Sequence, residues 1–460
     1  MTFRGVPDVD PQPAPRRALF GWALFDWAAQ PYFTLITTFI YAPYFANAVA
    51  ANPVQGQAIW GYATAFAGLL IALGSPFLGG VADASGRRKP WILAFGCLLV
   101  VGSSCLWFGR PAAPETVPIV LLAFIIATIG TEFATVFNNA MMPTLVKPEQ
   151  LGKLSGIGWA TGYVGGVLSL FVMLLFMVGD PQTGKTLIGL NPIFGLDPAA
   201  REGDRAAGPL TAIWFVIFII PMFLFTPDTP ARMPVSDAMR QGVSRLREAL
   251  NHLKEHPNTA TFLIANMIYA DGLVALFAFG GIFASSTFDW GTTELGIFGI
   301  LTAISGTFGA LIGGFLDNRL GSKGVVMISL GLLLCSVIAI LCIGRDYIFW
   351  MTVAPATPGD GLFASAPEKM YVLIGIMIGF AAGPMQAASR TLLARLSPPQ
   401  RMAQFFGLFA LSGRVTSFLG PLLVGIVTAA TASQRGGMMV LILFFTVGLV
   451  LLSRVKAPQP

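Results

Sequence analysis

The sequence predicts an all-α membrane protein of twelve transmembrane helices in two six-helix pseudo-repeats, and three observations lead there. Of the 460 residues, 55% are hydrophobic and only 11% charged, against about 25% charged in an average soluble domain. Apolar runs long enough to cross ~30 Å of hydrocarbon as helices recur along almost the whole length. Motifs from the first half also return in the second at matching places.

In order, the runs fall near residues 20–48, 58–81, 89–109, 116–142, 152–179, 209–227, 259–287, 292–316, 324–343, 369–394, 402–430 and 436–453. The first is too long for a signal-peptide core and lacks a small-residue cleavage site, so it is expected to remain as a span. On the fifth run Gly158, Gly162 and Gly166 repeat every four residues, as do Gly309 and Gly313 on the eighth. Small residues at that spacing let helices pack closely, and no strand precedes them as a nucleotide-binding loop would need. The longest loop on the opposite side from the termini, Asp180 to Gly208, reads as an irregular cap.

The expected divisions are a tail over residues 1–19, a bundle over 20–227, a linker over 228–258, a second bundle over 259–455 and a tail over 456–460. Within the linker, Met239, Val243, Leu246, Leu250 and Leu253 recur at helical spacing, which predicts a short amphipathic helix along the membrane face. With the N-terminus in the cytoplasm, about 20 of the 28 basic residues lie in cytoplasmic segments and about 7 outside. Both termini are therefore expected on the cytoplasmic side of a bacterial inner membrane. The net charge of +6 is a topology signal, because the basic residues are scattered over short loops and form no nucleic-acid patch.

Cys97, Cys105, Cys335 and Cys342 all fall within predicted spans and read as small apolar packing residues. The only histidines, His252 and His256, lie in the linker, so no metal centre, cofactor or convergent catalytic set is expected, and the chain does not read as an enzyme.

The repeat rests on two correspondences. Leu145-Val-Lys-Pro148 with Gly156 and Gly162 matches Leu396-Ser-Pro-Pro399 with Gly407 and Gly413 at one constant offset. Gly80-Val-Ala-Asp83-Ala-Ser-Gly86-Arg87-Arg88-Lys89 matches Gly314-Phe-Leu-Asp317-Asn-Arg319-Leu-Gly321-Ser-Lys323 with one residue inserted. The first of this pair, between spans two and three, resembles the signature loop of the major facilitator superfamily. That resemblance implies a rocker-switch transporter in which Asp83 and Arg87 form a charge relay locking the cytoplasmic side.

A narrower resemblance lies in Trp22-Ala-Leu-Phe-Asp26-Trp27, Tyr41-Ala-Pro43-Tyr44-Phe45, Asn139-Ala-Met-Met-Pro143, Asp271-Gly272 and the stretch from Gln386-Ala-Ala-Ser-Arg390 through Ser412-Gly413-Arg414 to Pro421. These are similar to the bacterial permease branch related to the fungal autophagy-linked vacuolar amino-acid effluxers. For the fungal relatives that implies export of neutral amino acids.

Helical spacing sorts the intramembrane polar residues. On the first span Asp26, Gln30, Thr34, Thr37, Tyr41 and Tyr44 form one stripe, and on the fourth Thr128, Glu132, Thr135 and Asn139 form another. Gln386 and Arg390 lie four apart on the tenth. The resemblance places the first, fourth, seventh and tenth spans around a central cavity. A charge inside a span costs roughly 2.5–3.5 kcal/mol on insertion scales, so Asp26, Glu132, Asp271 and Arg414 are expected to face a partner or water.

Asp271 and Arg414 lie near mid-depth and are expected to pair or to meet substrate, whereas Asp26 is expected to act with the gate. The resulting expectation is a secondary transporter of a small polar solute, an amino acid or similar zwitterion. It is coupled to protons through Glu132, Asp271 or Asp26, surrounded by membrane lipids and working as a monomer. The alternatives are an exporter of drugs or other amphipathic compounds and a non-transporting receptor or scaffold.

Overall fold

The computed structural model describes residues 14–85, 87–146, 151–180, 182–228, 230, 253–354, 361–397, 405, 408–409, 412–413 and 416–456. The chain opens with α1 (Arg16–Pro31) and continues through α2 (Pro53–Ser85), α3 (Lys89–Cys105), α4 (Val117–Leu145), α5 (Leu151–Val172), α6 (Ala207–Phe225) and α7 (Pro257–Phe288). A helical run Thr292–Leu341 turns at Gly321, whose φ of 72° a residue with a Cβ rarely adopts, and so divides into spans α8 (Thr292–Asp317) and α9 (Arg319–Leu341). The strands β1 (Tyr347–Ile348) and β2 (Met351–Thr352) form a small hairpin before α10 (Ala366–Leu396), α11 (Leu419–Thr431) and α12 (Gln434–Arg454). Among the described residues ten helices, α2 to α10 and α12, are long and apolar enough to cross a membrane. The predicted linker helix and Arg414 lie outside the described residues.

Successive helices run antiparallel, which sorts their ends into a terminus side and a far side. On the terminus side the Ala14 N–H donates to Leu145 O at 3.0 Å, Thr226 Oγ1 donates to Ala18 O at 3.0 Å and Thr259 Oγ1 donates to Leu396 O at 3.0 Å. Two of these bonds satisfy carbonyls at the C-terminal ends of α4 and α10, groups that no helix satisfies for itself.

The first apolar run is one stretch in sequence but several pieces in structure. After α1 the chain widens into a π-helical segment, Tyr32–Phe39, followed by a short turn Tyr41–Tyr44 and a second widening at Phe45–Val49. The cause is local. The hydroxyls of Thr37 and Thr38 both donate to Phe33 O, at 2.7 and 2.9 Å, and Pro43 brings no N–H, so the ordinary i→i−4 ladder loses donors and acceptors. Ile40 N–H reaches five residues back to Leu35 O. One effect is that Tyr41 and Tyr44 turn to the end of α3, donating to Leu106 O and Gly109 O at 2.7 and 2.9 Å.

The apolar core divides in a way that reports on the arrangement of the two halves. A large cluster joins the far-side parts of the first half, including Tyr32, Phe45, Trp60 and Phe124, to most of the second half. A smaller one, with Trp22, Phe25, Phe137 and Phe215, belongs to the terminus side of the first half and lies apart. The halves are thus packed together on the far side, where Phe39 meets Phe298 edge-on at 6.3 Å.

The four-residue glycine spacing does what it implies. A Cβ added at Gly313 would lie 2.5 Å from Pro384 Cβ, and one at Gly309 would collide with the backbone of Phe380, so α8 and α10 approach at backbone distance. Gly331 on α9 has nothing within 4 Å of its added Cβ. Gly309→Ala is therefore expected to cost about 1–3 kcal/mol through overpacking, and Gly331→Ala to be neutral or to stabilise by up to about 1 kcal/mol. Thermal unfolding of both variants in one detergent checks this, and equal melting shifts would contradict the close α8–α10 contact.

Candidate functional site

The α1 stripe faces α5. Asp26, Gln30 and Thr34 sit over Gly158, Gly162 and Gly166: a Cβ at Gly158 would strike the Asp26 carboxylate, and those at Gly162 and Gly166 would come within 3.3 Å of Gln30 Oε1 and 2.9 Å of Gln30 Cγ. Trp159 turns from this glycine face toward α10 of the other half, where the Arg390 guanidinium lies 5.6 Å from its ring centroid. Arg390 and Asp26 are close enough to attract one another, and Tyr163 stands in the same field. Gln386, one turn before Arg390, donates to Ala382 O at 3.3 Å. Opposite charges from the two halves therefore converge beside an aromatic face on the terminus side of the bundle.

On α4, Thr128 is hydrogen-bonded to the Tyr32 hydroxyl at 2.5 Å, and Glu132 follows one helical turn later. Asn139 is exposed. Its neighbour Asn138, absent from the sequence-derived candidates, is fully buried with neither side-chain amide atom hydrogen-bonded among the described residues. Its backbone O accepts from Trp22 Nε1 at 2.9 Å. The available signal was a spacing of seven from Thr131, also fully buried, which puts both on one helical face.

Asp271 on α7 is 1% exposed, and its Oδ1 has no hydrogen-bond partner among the described residues. It packs on α11, whose Gly420 would place a Cβ 2.7 Å from Asp271 O, with the Thr416 hydroxyl close to the carboxylate. Two residues from Thr416, Arg414 lies outside the described residues, so its expected pairing with Asp271 is not placed. Tyr269 and Ser389 share a hydrogen bond of 2.7 Å between α7 and α10.

Of the signature loop, Gly86 and the side chain of Asp83 lie outside the described residues. Arg87 is exposed and Arg88 buried. The N–H groups of Arg88 and Lys89 donate to the Asp228 carboxylate at 2.9 and 3.2 Å, so an acid following α6 caps the start of α3. Lys89 Nζ donates to Phe223 O at 2.8 Å near the end of α6. In the matching second loop Lys323 Nζ donates to Ser453 O and Val455 O, at 2.9 and 2.7 Å, at the end of α12. Asp317 pairs with Arg395 at 3.1 Å, tying α8 to α10, while Arg319 is exposed. Asp228 and the pairing role of Arg395 were both missed in the sequence.

On the far side the halves are joined mainly by amide and hydroxyl bonds. Fully buried Gln57 on α2 donates to Thr428 Oγ1 at 2.8 Å and to Gln434 O at 3.3 Å, entering a notch that a side chain at Gly437 would fill. Ser286 donates to Asn47 Oδ1 at 2.8 Å and accepts from Gln434 Nε2 at 3.1 Å. Beside them Thr292 donates to Asp204, which also binds Arg201 at 2.6 Å. Burial opposes the Arg201 charge, yet the pull of Asp204 outweighs it and raises the guanidinium above its ordinary range.

A family model described as vacuole effluxer Atg22 like matches residues 45–459. The chain belongs to that family. This Atg22-like chain is 23% identical over 436 residues to a Bacillus subtilis protein named as an uncharacterized MFS-type transporter, YxiO, covering 94% of this chain and 93% of the relative. It is 24% identical over 388 residues to autophagy-related protein 22 of Kluyveromyces lactis, covering 79% and 71%.

Among solved structures, a bacterial homolog of the human lysosomal transporter Spinster, inward-facing and unoccupied, matches with a TM-score of 0.63 at 17% identity over 95% of this chain and 96% of that one. A D-xylose-proton symporter matches with a TM-score of 0.64 at 15% identity over 96% and 98%. The Atg22-like chain thus has the major facilitator fold and is a multi-pass membrane transporter, not an enzyme.

Removal of the cap on α3 has a definite expected effect. Asp228→Ala leaves two N–H groups without their acceptor and should destabilise the first turn of α3 by about 0.5–2 kcal/mol. Hydrogen exchange at Arg88 and Lys89 would then speed up, and unchanged exchange would show that Asp228 does not hold the turn.

Proposed function

We propose that this Atg22-like chain is a secondary active transporter of a small zwitterion, an amino acid in the first instance, working by rocker-switch alternating access and coupled to protons. The observation that carries the reading is the convergence of Asp26 and Arg390 from opposite halves beside Trp159. A carboxylate, a guanidinium and an aromatic face are the three groups a zwitterion needs: one for its ammonium, one bidentate for its carboxylate, and a surface for cation–π contact. Because the two charges belong to different halves, a ligand bridging them would draw the halves together on the terminus side. Glu132 and Asp271 remain the proton-carrying candidates, with Gln30 and Gln386 as neutral neighbours of the binding groups.

In this reading twelve spans form two six-helix pseudo-repeats. The matching bonds of Lys89 to the end of α6 and Lys323 to the end of α12 support that symmetry. Arginine and lysine placement puts the terminus side in the cytoplasm of a bacterial cell, with the far side facing out. The gate on the cytoplasmic face would use Asp83, Arg87 and the Asp317–Arg395 pair, and the far-side seal would use the Gln57 bonds.

Purified protein in proteoliposomes, assayed for counterflow with a panel of labelled amino acids, tests the assignment. Asp26→Asn and Arg390→Gln are each expected to lower exchange roughly 10-fold or more, the loss of one charge-assisted contact. Exchange of sugars or drugs with no response to amino acids would move the substrate class, and full activity in both variants would remove these residues from the site.

Alternation itself makes a separate demand on the far side. Gln57→Ala should loosen the seal, seen as faster hydrogen exchange at the far ends of α11 and α12. Unaltered exchange there would show that Gln57 does not hold the halves together.

A further inference from the structure

The hairpin between α9 and α10 has an unusual turn. Its strands pair in register, Tyr347 with Thr352 and Ile348 with Met351, and the two residues that connect them are Phe349 and Trp350, with φ of 44° and 67°. Positive φ at both positions is the requirement of a type I′ turn, for which Asn-Gly is the preferred pair because neither residue is strained there. Two bulky aromatic residues are strained in that region. Their side chains are not recovering the strain by burial within the chain: Trp350 is 85% exposed, Met351 66% and Phe349 40%.

The base of the hairpin is held firmly. Arg435 donates to Leu341 O and Ile343 O at 3.2 and 2.8 Å and bonds the Tyr347 hydroxyl, while Phe349 N–H reaches Cys342 O at 2.9 Å. The tip is therefore presented on a fixed stem a few residues beyond Leu341, the last residue of α9. That is the level at which a spanning helix leaves hydrocarbon. The lipid-facing surface of α9, with exposed Ile328 and Ile338, leads toward it. The first half carries a counterpart on the same far side, where Phe194 is 86% exposed at φ 61° in the α5–α6 connection, near exposed Leu187, Ile188 and Leu190.

The geometry points to the hairpin tip Phe349–Trp350 as a membrane-interface anchor that seats in the headgroup–acyl boundary of the far-side leaflet. Aromatic rings favour that boundary, since it takes their apolar body while leaving the indole N–H wet. Seating there removes from water the surface that the fold leaves exposed, and the strained turn is what directs both rings outward on a two-residue tip. Charge complementarity is not needed, because the tip itself carries none.

The test uses the full chain labelled with 5-fluorotryptophan in phosphatidylcholine–phosphatidylglycerol nanodiscs, with the Trp350 fluorine signal identified as the one of nine lost in Trp350→Phe, and again in Trp350→Tyr. A lipid carrying a nitroxide at the upper acyl chain should at least double the width of that signal, whereas a water-soluble gadolinium chelate should leave it within about a tenth. Broadening by the chelate and not by the lipid nitroxide would put the tip in water and overturn the proposal. A signal reached by neither would show the tip covered by protein, such as a second copy of the chain, and would overturn it equally.

Discussion

The Asp26 carboxylate sits within the packed face of α1 because the helix beside it, α5, presents a face without side chains. Hydrocarbon supplies no hydrogen-bond partner, so a polar stripe is tolerated only against protein or water. The glycines of α5 let α1 approach closely enough to take Asp26, Gln30 and Thr34 out of lipid contact. The same register sends Trp159 toward the other half, where Arg390 meets its ring. If Gly158 carried even a methyl group, Asp26 would have to move, and the meeting of charges across the halves would move with it.

The two ends of the molecule are held by different mixtures of contacts. On the far side apolar packing and neutral amide–hydroxyl bonds predominate, each bond worth about 0.5–1.5 kcal/mol net. Toward the terminus side charged groups join the neutral bonds between helices, as in Asp317–Arg395 and Asp228 with α3, and Asp26 and Arg390 attract one another across the halves. Reversing a two-state population from 1:99 to 99:1 takes about 5.5 kcal/mol of differential binding. A seal made of several weak neutral bonds lies within reach of that figure. Charged contacts respond to what else is charged nearby, and a zwitterionic ligand offers both signs.

What could be read in advance followed periodicity. Apolar length and glycine spacing survive translation into structure because each depends on helical pitch alone, and Lys89 and Lys323 each bond a carbonyl at or near the end of a later helix. What could not be read depended on competition or on long-range pairing. The widened turns after Pro31 arise because two threonine hydroxyls claim one carbonyl, so Tyr41 and Tyr44 leave a stripe that constant pitch would have kept whole. Asn138 rather than Asn139 is buried because helix contacts, which spacing does not specify, decide which face of α4 turns inward. Asp228 looked like the start of a linker, and only the position of α3 beside α6 shows it to be a cap.

Among the buried polar groups that lack a hydrogen-bond partner within the described residues, three have informative positions. Gln57 Oε1 lies in the far-side seal, Asp271 Oδ1 between α7 and α11, and the Asn138 amide where α4 meets Trp22 of α1. A buried group left unmade costs about 1–3 kcal/mol, so each raises the free energy of the arrangement that contains it. A rigid scaffold would gain by replacing such groups with apolar ones of the same shape. In a transporter that must leave this arrangement to reach another, they narrow the gap between the two, and an unpaired atom here is one that rearrangement could satisfy. Gln57 makes the point most simply: its amide nitrogen holds the halves together with two bonds, while its oxygen, with none, limits how firmly they are held.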